Sequence, residues 1–396
     1  MDLFAKAEIR HIKGSRTASA AANQVLTEQD FANAWAEITA WDGYAATPLV
    51  DLGSLASTLA VSQILYKHEG PRFGLGSFKA LGAAYAALRV LQGEVSRQIG
   101  QGASLSSIRS GEHAEICSQI TLVSATDGNH GRSLAWGCQR FGVPCRIYIH
   151  AEVSEGRAQA MRDLGAKVIR INGDYDASVA LARDEAEENG WFVVSDTSWP
   201  GYSEPPRDVM AGYGVMTRET CEAMDQAPTH IFLQGGVGGL AASVAAGLRQ
   251  YWQDDAPRVV IVEPDLADCL YASAKAGRAT TVAIAEETIM AGLSCGEPSQ
   301  MAWEILEQEA SDFVTIPVSI VAPTVRLLGR PQGDDPIVEA GESAVAGLAA
   351  LIAARQNPKL SQAPGLNAQS RVLLIGSEGI TDPEIFNQIM AENDDV

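Results

Sequence analysis

The sequence predicts an α/β protein built on two open, mainly parallel twisted sheets flanked by helices, and three observations predict it. Between residues 120 and 195 four short apolar runs alternate with three segments of helical periodicity, the pattern of parallel strands joined by crossover helices. A second alternation starts at residue 230 and closes with an apolar run at 372–375. The chain has 396 residues, 46% of them hydrophobic, which exceeds one ordinary core and suffices to bury a deep site.

Taken in order, residues 28–40 read as a helix, and Trp41-Asp42-Gly43-Tyr44 breaks the pattern. Residues 60–68 carry Val61, Ile64, Leu65 and Tyr66 and read as a strand leading towards Lys79. The small and apolar residues from 79 to 91 suit a buried helix, so Lys79 stands at a strand-to-helix junction. Residues 93–115 are polar and rich in Gly and Ser, a surface excursion of variable order. Strands are expected at 120–124, 145–150, 168–171 and 191–195. Helices are expected at 132–141, at 155–164, where Ala158, Met161 and Leu164 share a face, and at 175–188. The second series gives strands at 230–233 and 259–262, helices at 239–252 and 266–276, a turn at 332–336, a helix at 344–354 and the strand at 372–375. This places a small α/β domain at 86–212 and a larger one in 1–85 together with 213–396.

Composition excludes several functions. With 29 basic against 49 acidic residues the net charge is -20, so neither nucleic acid nor an anionic membrane is an expected partner. The six cysteines are scattered without a C-x-x-C pair, which argues against a structural zinc site and against a disulfide-built secreted domain; no metal is expected. A cytoplasmic location is expected. Cys269 and Cys295 are either a pair or, the favoured reading, two buried thiols. The N-terminus lacks the basic-then-apolar order of a signal peptide, so the mature chain is expected to start there. Residues 231–248 carry no charge, yet Gln234 and five glycines interrupt them; a strand, loop and helix fit better than a membrane span. No internal repeat is present.

Four stretches carry candidate chemistry. In Gly74-Leu75-Gly76-Ser77-Phe78-Lys79-Ala80-Leu81-Gly82 one lysine stands among small and apolar residues, a setting that favours a neutral, nucleophilic amine; a snorkelling lysine at a helix start has the same local look. Ser124-Ala125-Thr126-Asp127-Gly128-Asn129-His130-Gly131 is a strand-to-helix turn suited to a carboxylate at a helix N-terminus, or simply to capping. Gln234-Gly235-Gly236-Val237-Gly238-Gly239-Leu240 lets backbone amides approach a phosphate. It lacks the Lys-Ser/Thr of a nucleotide P-loop and an acidic residue placed for a dinucleotide. In Leu374-Ile375-Gly376-Ser377-Glu378-Gly379, Ser377 offers a neutral donor and acceptor at a strand end. A single cofactor, pyridoxal 5'-phosphate, explains a lysine, a phosphate cradle, an Asn-bearing turn and a late serine together.

That order of motifs over most of the chain resembles the tryptophan-synthase-like, fold type II family of pyridoxal-phosphate enzymes. Within it, several segments are similar to the ammonia-lyases acting on 2,3-diaminopropionate: Arg72-Phe73-Gly74-Leu75, Phe78-Lys79-Ala80-Leu81-Gly82, Ala125 to Gly131, Thr288-Ile289-Met290-Ala291-Gly292-Leu293-Ser294-Cys295-Gly296-Glu297-Pro298, Gly333-Asp334-Asp335-Pro336 and Gly341-Glu342-Ser343. Gly76-Ser77, where relatives have Asn-Ala, and Glu204-Pro205-Pro206-Arg207-Asp208-Val209-Met210, where they have Pro-Thr-Trp-Ile-Met, depart from the pattern.

The resemblance implies that Lys79 bonds the cofactor's aldehyde, that Phe78 flanks it, and that Asn129 contacts the ring hydroxyl. It also implies that Gly235, Gly236, Val237, Gly238, Gly239 and Leu240 hold the phosphate and that Ser377 faces the ring nitrogen. Ser124, Thr126 and Asp127 are expected substrate contacts, Asp127 either as a base for a D-isomer, as the holder of the leaving amine or simply as an N-cap, and Asp196, at the end of the 191–195 strand, is a further candidate for binding the distal ammonium. The implied reaction is β-elimination from 2,3-diaminopropionate, or a close analogue, to pyruvate and ammonia. A dehydratase of serine, threonine or 3-hydroxyaspartate type and a β-replacement synthase are the alternatives. A homodimer is the family tendency.

Overall fold

The computed structural model describes residues 2–16, 22–126 and 128–392. The described residues form eleven strands: β1 (Arg10–Lys13), β2 (Leu49–Asp51), β3 (Gln63–His68), β4 (Leu122–Ala125), β5 (Cys145–Ile149), β6 (Lys167–Arg170), β7 (Phe192–Val193), β8 (His230–Gln234), β9 (Arg258–Pro264), β10 (Ala310–Ile316) and β11 (Arg371–Gly376). They make two sheets, one of seven strands in the order β1-β10-β9-β8-β11-β3-β2 and one of four in the order β6-β5-β4-β7. The five inner strands of the larger sheet are parallel and its two edges antiparallel. Every pairing in the smaller sheet is parallel.

Two compact units divide the chain: Met1–Glu28, Ala46–Ser77 and Met216–Val396 form the first, Gln29–Ala45 and Phe78–Val215 the second. These bounds differ from the expected ones at residues 29–45, 78–85 and 213–215. A boundary after residue 85 would cut the Lys79–Ile99 helix, an unbroken rod that packs along the Asn129–Phe141 helix. A Cβ on Gly137 would lie 2.8 Å from the Ala84 Cα, so these two helices approach as closely as a missing side chain allows.

In the first unit the Ala346–Gln356 helix covers the larger sheet with a face made mostly of alanine, and its residues from Ala346 to Ala354 are all buried. Gly347 permits this contact, since a Cβ there would stand 2.8 Å from the Phe232 carbonyl oxygen. Leu348, Leu351 and Ile352 join Phe232, Val260, Val314 and Leu374 in the core. Burying such side chains contributes about 1.5–3 kcal/mol each. In the second unit Val123, Tyr148, Ala182 and Ala186 form a core cluster between sheet and helix.

Several elements differ from the sequence expectation. The helix starting at Lys79 runs on to Ile99, and the polar stretch after it holds two short helices, Leu105–Arg109 and Ala114–Cys117. β10, fully buried, has no counterpart in the expected series, and neither do the edge strands β1 and β2. Residues 231–248 form the end of β8, a glycine loop and a helix; among the described residues no helix is long and apolar enough to cross a membrane. Cys269 and Cys295 are not joined in a disulfide; the first is buried and the second half-buried.

Candidate active site

Lys79 opens its helix with no side-chain cap from Phe78. A cation at that end faces the positive pole of the helix dipole, and Asp196 offsets it: the Lys79 Nζ donates to the Asp196 carboxylate. The expectation of a lysine with little polar company is thereby corrected. Its sequence neighbours are apolar, but the turn after β7 delivers a carboxylate from more than a hundred residues away. Burial alone would raise the Asp196 carboxyl, and the Lys79 ammonium outweighs it, holding the acid well below the usual carboxylate range. His130 donates from Nε2 to the Val194 carbonyl over 2.9 Å and sets Nδ1 3.7 Å from Asp196. Burial lowers its pKa and disfavours the imidazolium.

Two aromatic rings frame the lysine. The Phe78 ring lies 5.6 Å from Nζ and packs on Tyr213 at 4.6 Å. The buried Tyr213 hydroxyl has no hydrogen-bond partner among the described residues. Burial pushes this phenol up while the nearby Lys79 charge pulls it down, and burial prevails. Sequence reasoning missed Tyr213; nothing in its helical surroundings distinguishes it from a core aromatic.

At the end of β4 Thr126 accepts from the Gly128 and Gly131 amides at 3.2 and 3.4 Å, bracing the turn. Asn129 begins the next helix and is half-buried. The Ser124 hydroxyl is fully buried, with no partner among the described residues. Asp127 lies outside the described residues.

In the first unit the glycine loop joins β8 to the Gly239–Trp252 helix, whose start has no side-chain cap. Gly236 and Gly238 have φ of +64° and +95°, conformations that other residues adopt only with strain. A Cβ on Gly236 would meet the Gly292 carbonyl at 3.3 Å, and one on Gly238 the Ala302 Cβ at 3.1 Å. A side chain would fill the loop's own space. The first-turn amides of an α-helix have no intrahelical acceptor and with the dipole favour an anion. Behind the loop Glu263 accepts from the Leu270 and Tyr271 amides at 2.9 and 2.7 Å. Burial pushes its carboxyl up to about 8 against the pull of those amides.

Ser377 follows β11, the neighbour of β8, and is buried. Gln234 donates from Nε2 to the Ser377 Oγ at 3.1 Å and to the Ile375 carbonyl at 2.6 Å. The Gly292 amide donates to the Ser343 Oγ at 3.2 Å, and the Ser343 amide to Glu378 at 3.2 Å, so residues 288–298 and 341–343 meet beside the glycine loop and Ser377. Ser77 bridges to Glu378, which anchors the segment immediately preceding Phe78 and Lys79. Asp335, from another expected motif, caps the Gly53–Thr58 helix through the Ser54 and Leu55 amides at 2.7 and 2.9 Å; its motif is structural. Arg72 lies in a buried ionic cluster with Glu69, Glu219 and Lys67.

An uncapped glycine loop at a helix start, a neutral serine at a parallel-strand end and a lysine that begins a buried helix define a pyridoxal-phosphate enzyme of fold type II. The glycine cradle, which a Cβ would fill, and the neutral Gln234–Ser377 pair suit that cofactor's phosphate and ring nitrogen. The chain belongs to the pyridoxal-phosphate dependent enzyme family, which matches it over residues 40–378. It is 38% identical over 358 residues to the diaminopropionate ammonia-lyase of Escherichia coli K12, covering 88% of each chain. The crystal structure of the Escherichia coli diaminopropionate ammonia lyase in complex with D-serine superposes with a TM-score of 0.89 at 34% identity over 97% of each chain. The same lyase in complex with an aminoacrylate-PLP azomethine reaction intermediate gives a TM-score of 0.87, again at 34% identity and 97% coverage of each chain. Among the described residues no cluster of three or more metal-binding side chains occurs.

Proposed function

We propose that this enzyme eliminates ammonia from 2,3-diaminopropionate or a close analogue, giving pyruvate and a second ammonia with uptake of one water. The observation that carries the reading is the ionised, half-buried Asp196 carboxylate holding the ammonium of Lys79. The acid is therefore preorganised for an ammonium, and once Lys79 is engaged elsewhere the substrate's second ammonium is the matching occupant. The similarity to the diaminopropionate ammonia-lyase supports the same substrate class.

When bound, pyridoxal phosphate supplies an electron sink for the charge that develops at Cα. In this reading Lys79 bonds the aldehyde with Phe78 against it and, once released by substrate, takes the Cα proton of the L-isomer. Asn129 meets the ring hydroxyl, the amides of Gly235, Gly236, Val237, Gly238, Gly239 and Leu240 take the phosphate, and Ser377 faces the ring nitrogen. Ser124 and Thr126 border the substrate carboxylate, and Asp196 holds the β-ammonium until it leaves. Asp127 is the base for the D-isomer by resemblance; Asp127→Asn is expected to abolish D-isomer turnover and leave L-isomer turnover measurable. The enzyme is further proposed to be a cytoplasmic homodimer, consistent with six cysteines not joined in disulfides, and light scattering of the holoenzyme checks its subunit number.

The deciding assay measures pyruvate and ammonia from each isomer of 2,3-diaminopropionate. Two ammonia per pyruvate are expected. Turnover of serine or threonine alone, with one ammonia per keto acid, would make the enzyme a dehydratase; capture of the product by added thiols would make it a β-replacement synthase.

A further inference from the structure

The segment that presents Asp196 is held by one phenol. Tyr202 donates its hydroxyl to the Val193 carbonyl at 2.9 Å and accepts the Ser195 amide at 3.0 Å, bracketing Val194. The Val194 amide donates to the Val123 carbonyl at 2.8 Å, and its carbonyl accepts from His130. Four consecutive backbone groups just before Asp196 are thereby fixed, two of them by Tyr202 alone. A tight turn brings the ring back to this point: Trp199 and Tyr202 exchange backbone hydrogen bonds of 3.2 and 2.9 Å across Pro200 and Gly201, the latter at φ +86°. The Tyr202 ring stacks on Trp199 at 4.0 Å and 11°, and the Arg183 guanidinium covers Trp199 at 4.4 Å. This stack restrains the ring that carries the hydroxyl.

We infer that Tyr202 is a positioning residue for substrate selection: its hydroxyl fixes the backbone that aims the Asp196 carboxylate at a second ammonium on the substrate. Among the described residues the Tyr202 hydroxyl hydrogen-bonds to Val193 and Ser195, and it acts on Asp196 through that backbone. Because aim matters only to a ligand bearing that ammonium, loss of the hydroxyl discriminates between substrates. The inference rests on the role proposed for Asp196.

The test compares the wild-type holoenzyme with Tyr202→Phe, which keeps the ring and its stack. KM for 2,3-diaminopropionate is expected to rise about tenfold, the cost of a misaimed charge contact of about 1.4 kcal/mol, while the Kd of D-serine, read from the cofactor's absorbance, stays within about twofold. In an Asp196→Asn background the same change is expected to leave the diaminopropionate KM within about twofold. Trp199→Leu, which loosens the ring but retains the hydroxyl, provides a second variant and shifts the same KM in the same direction. Equal shifts for both ligands, no shift for either, or a full effect of Tyr202→Phe without Asp196 would overturn the inference. Wild-type enzyme inactive on 2,3-diaminopropionate would instead overturn the proposed reaction.

Discussion

Gln234 and Ser377, 143 residues apart, are joined at 3.1 Å by a hydrogen bond in which the amide is the donor. The serine Oγ is thus fixed as a neutral group at the end of β11, with the glycine loop starting one residue beyond Gln234.

Ser377→Asp would place a carboxylate at this position. An anionic partner holds a proton on the pyridine nitrogen and draws substrate charge deeper into the ring. Elimination is expected to slow at least about tenfold, or about 1.4 kcal/mol of barrier, with amino transfer to the cofactor rising in its place. Chromatography of pyruvate and of the aminated cofactor measures the ratio.

In the proposed mechanism Lys79→Ala removes both the covalent attachment and the base. Turnover is expected to fall by about 10²–10⁴-fold or more, and borohydride treatment followed by denaturing mass spectrometry should attach cofactor to the wild type only. A variant that still acquires the cofactor mass would place the attachment on another lysine.

Glu263 makes stability depend on pH. The unfolded chain releases this proton near 4.5 and the folded protein near 8, so over that interval the folded state holds the extra proton. Its contribution is full below about pH 4.5, declines as pH rises and is lost above about pH 8. Glu263→Gln imitates the protonated form, and urea midpoints at pH 6 and pH 9 are expected to fall less for the variant than for the wild type.

Arg72 donates to Glu69 and Glu219 at 2.7 to 2.8 Å in a buried setting. Arg72→Met strands carboxylates that Lys67 compensates only at Glu219. A loss of about 3–5 kcal/mol is expected, read as a lower urea midpoint, with the double variant Glu69→Gln/Arg72→Met losing less than the single.

The strand ends and glycine turns were legible because their signals are local. An apolar run followed by Gly235 and Gly236, or a lysine before a run of alanines, needs no tertiary knowledge to mark a strand-to-helix junction. Tyr213, Gln234 and Glu263 were not legible as site residues, since what distinguishes them is an unpartnered hydroxyl, a donor aimed at Ser377 and a carboxyl buried behind a loop. β10 was missed for a related reason: Ser311 and Asp312 interrupt its apolar pattern, and both are buried, Asp312 through pairings with His11 and Arg258 that only the fold makes. Asp196 was identified as a candidate from its strand-end position, but its pairing with Lys79 depends on the fold.

β11 is the last strand along the chain and yet it fills the slot between β8 and β3. During synthesis, which exposes N-terminal segments first, the larger sheet therefore cannot close until residues beyond 371 are available, whereas every strand of the smaller sheet has been made by residue 193. Until then β3 and β8 each present an unpaired parallel edge, a template for association with other chains. Premature termination before residue 371 should consequently yield insoluble protein, even though all the glycine-loop residues and Lys79 would already have been translated.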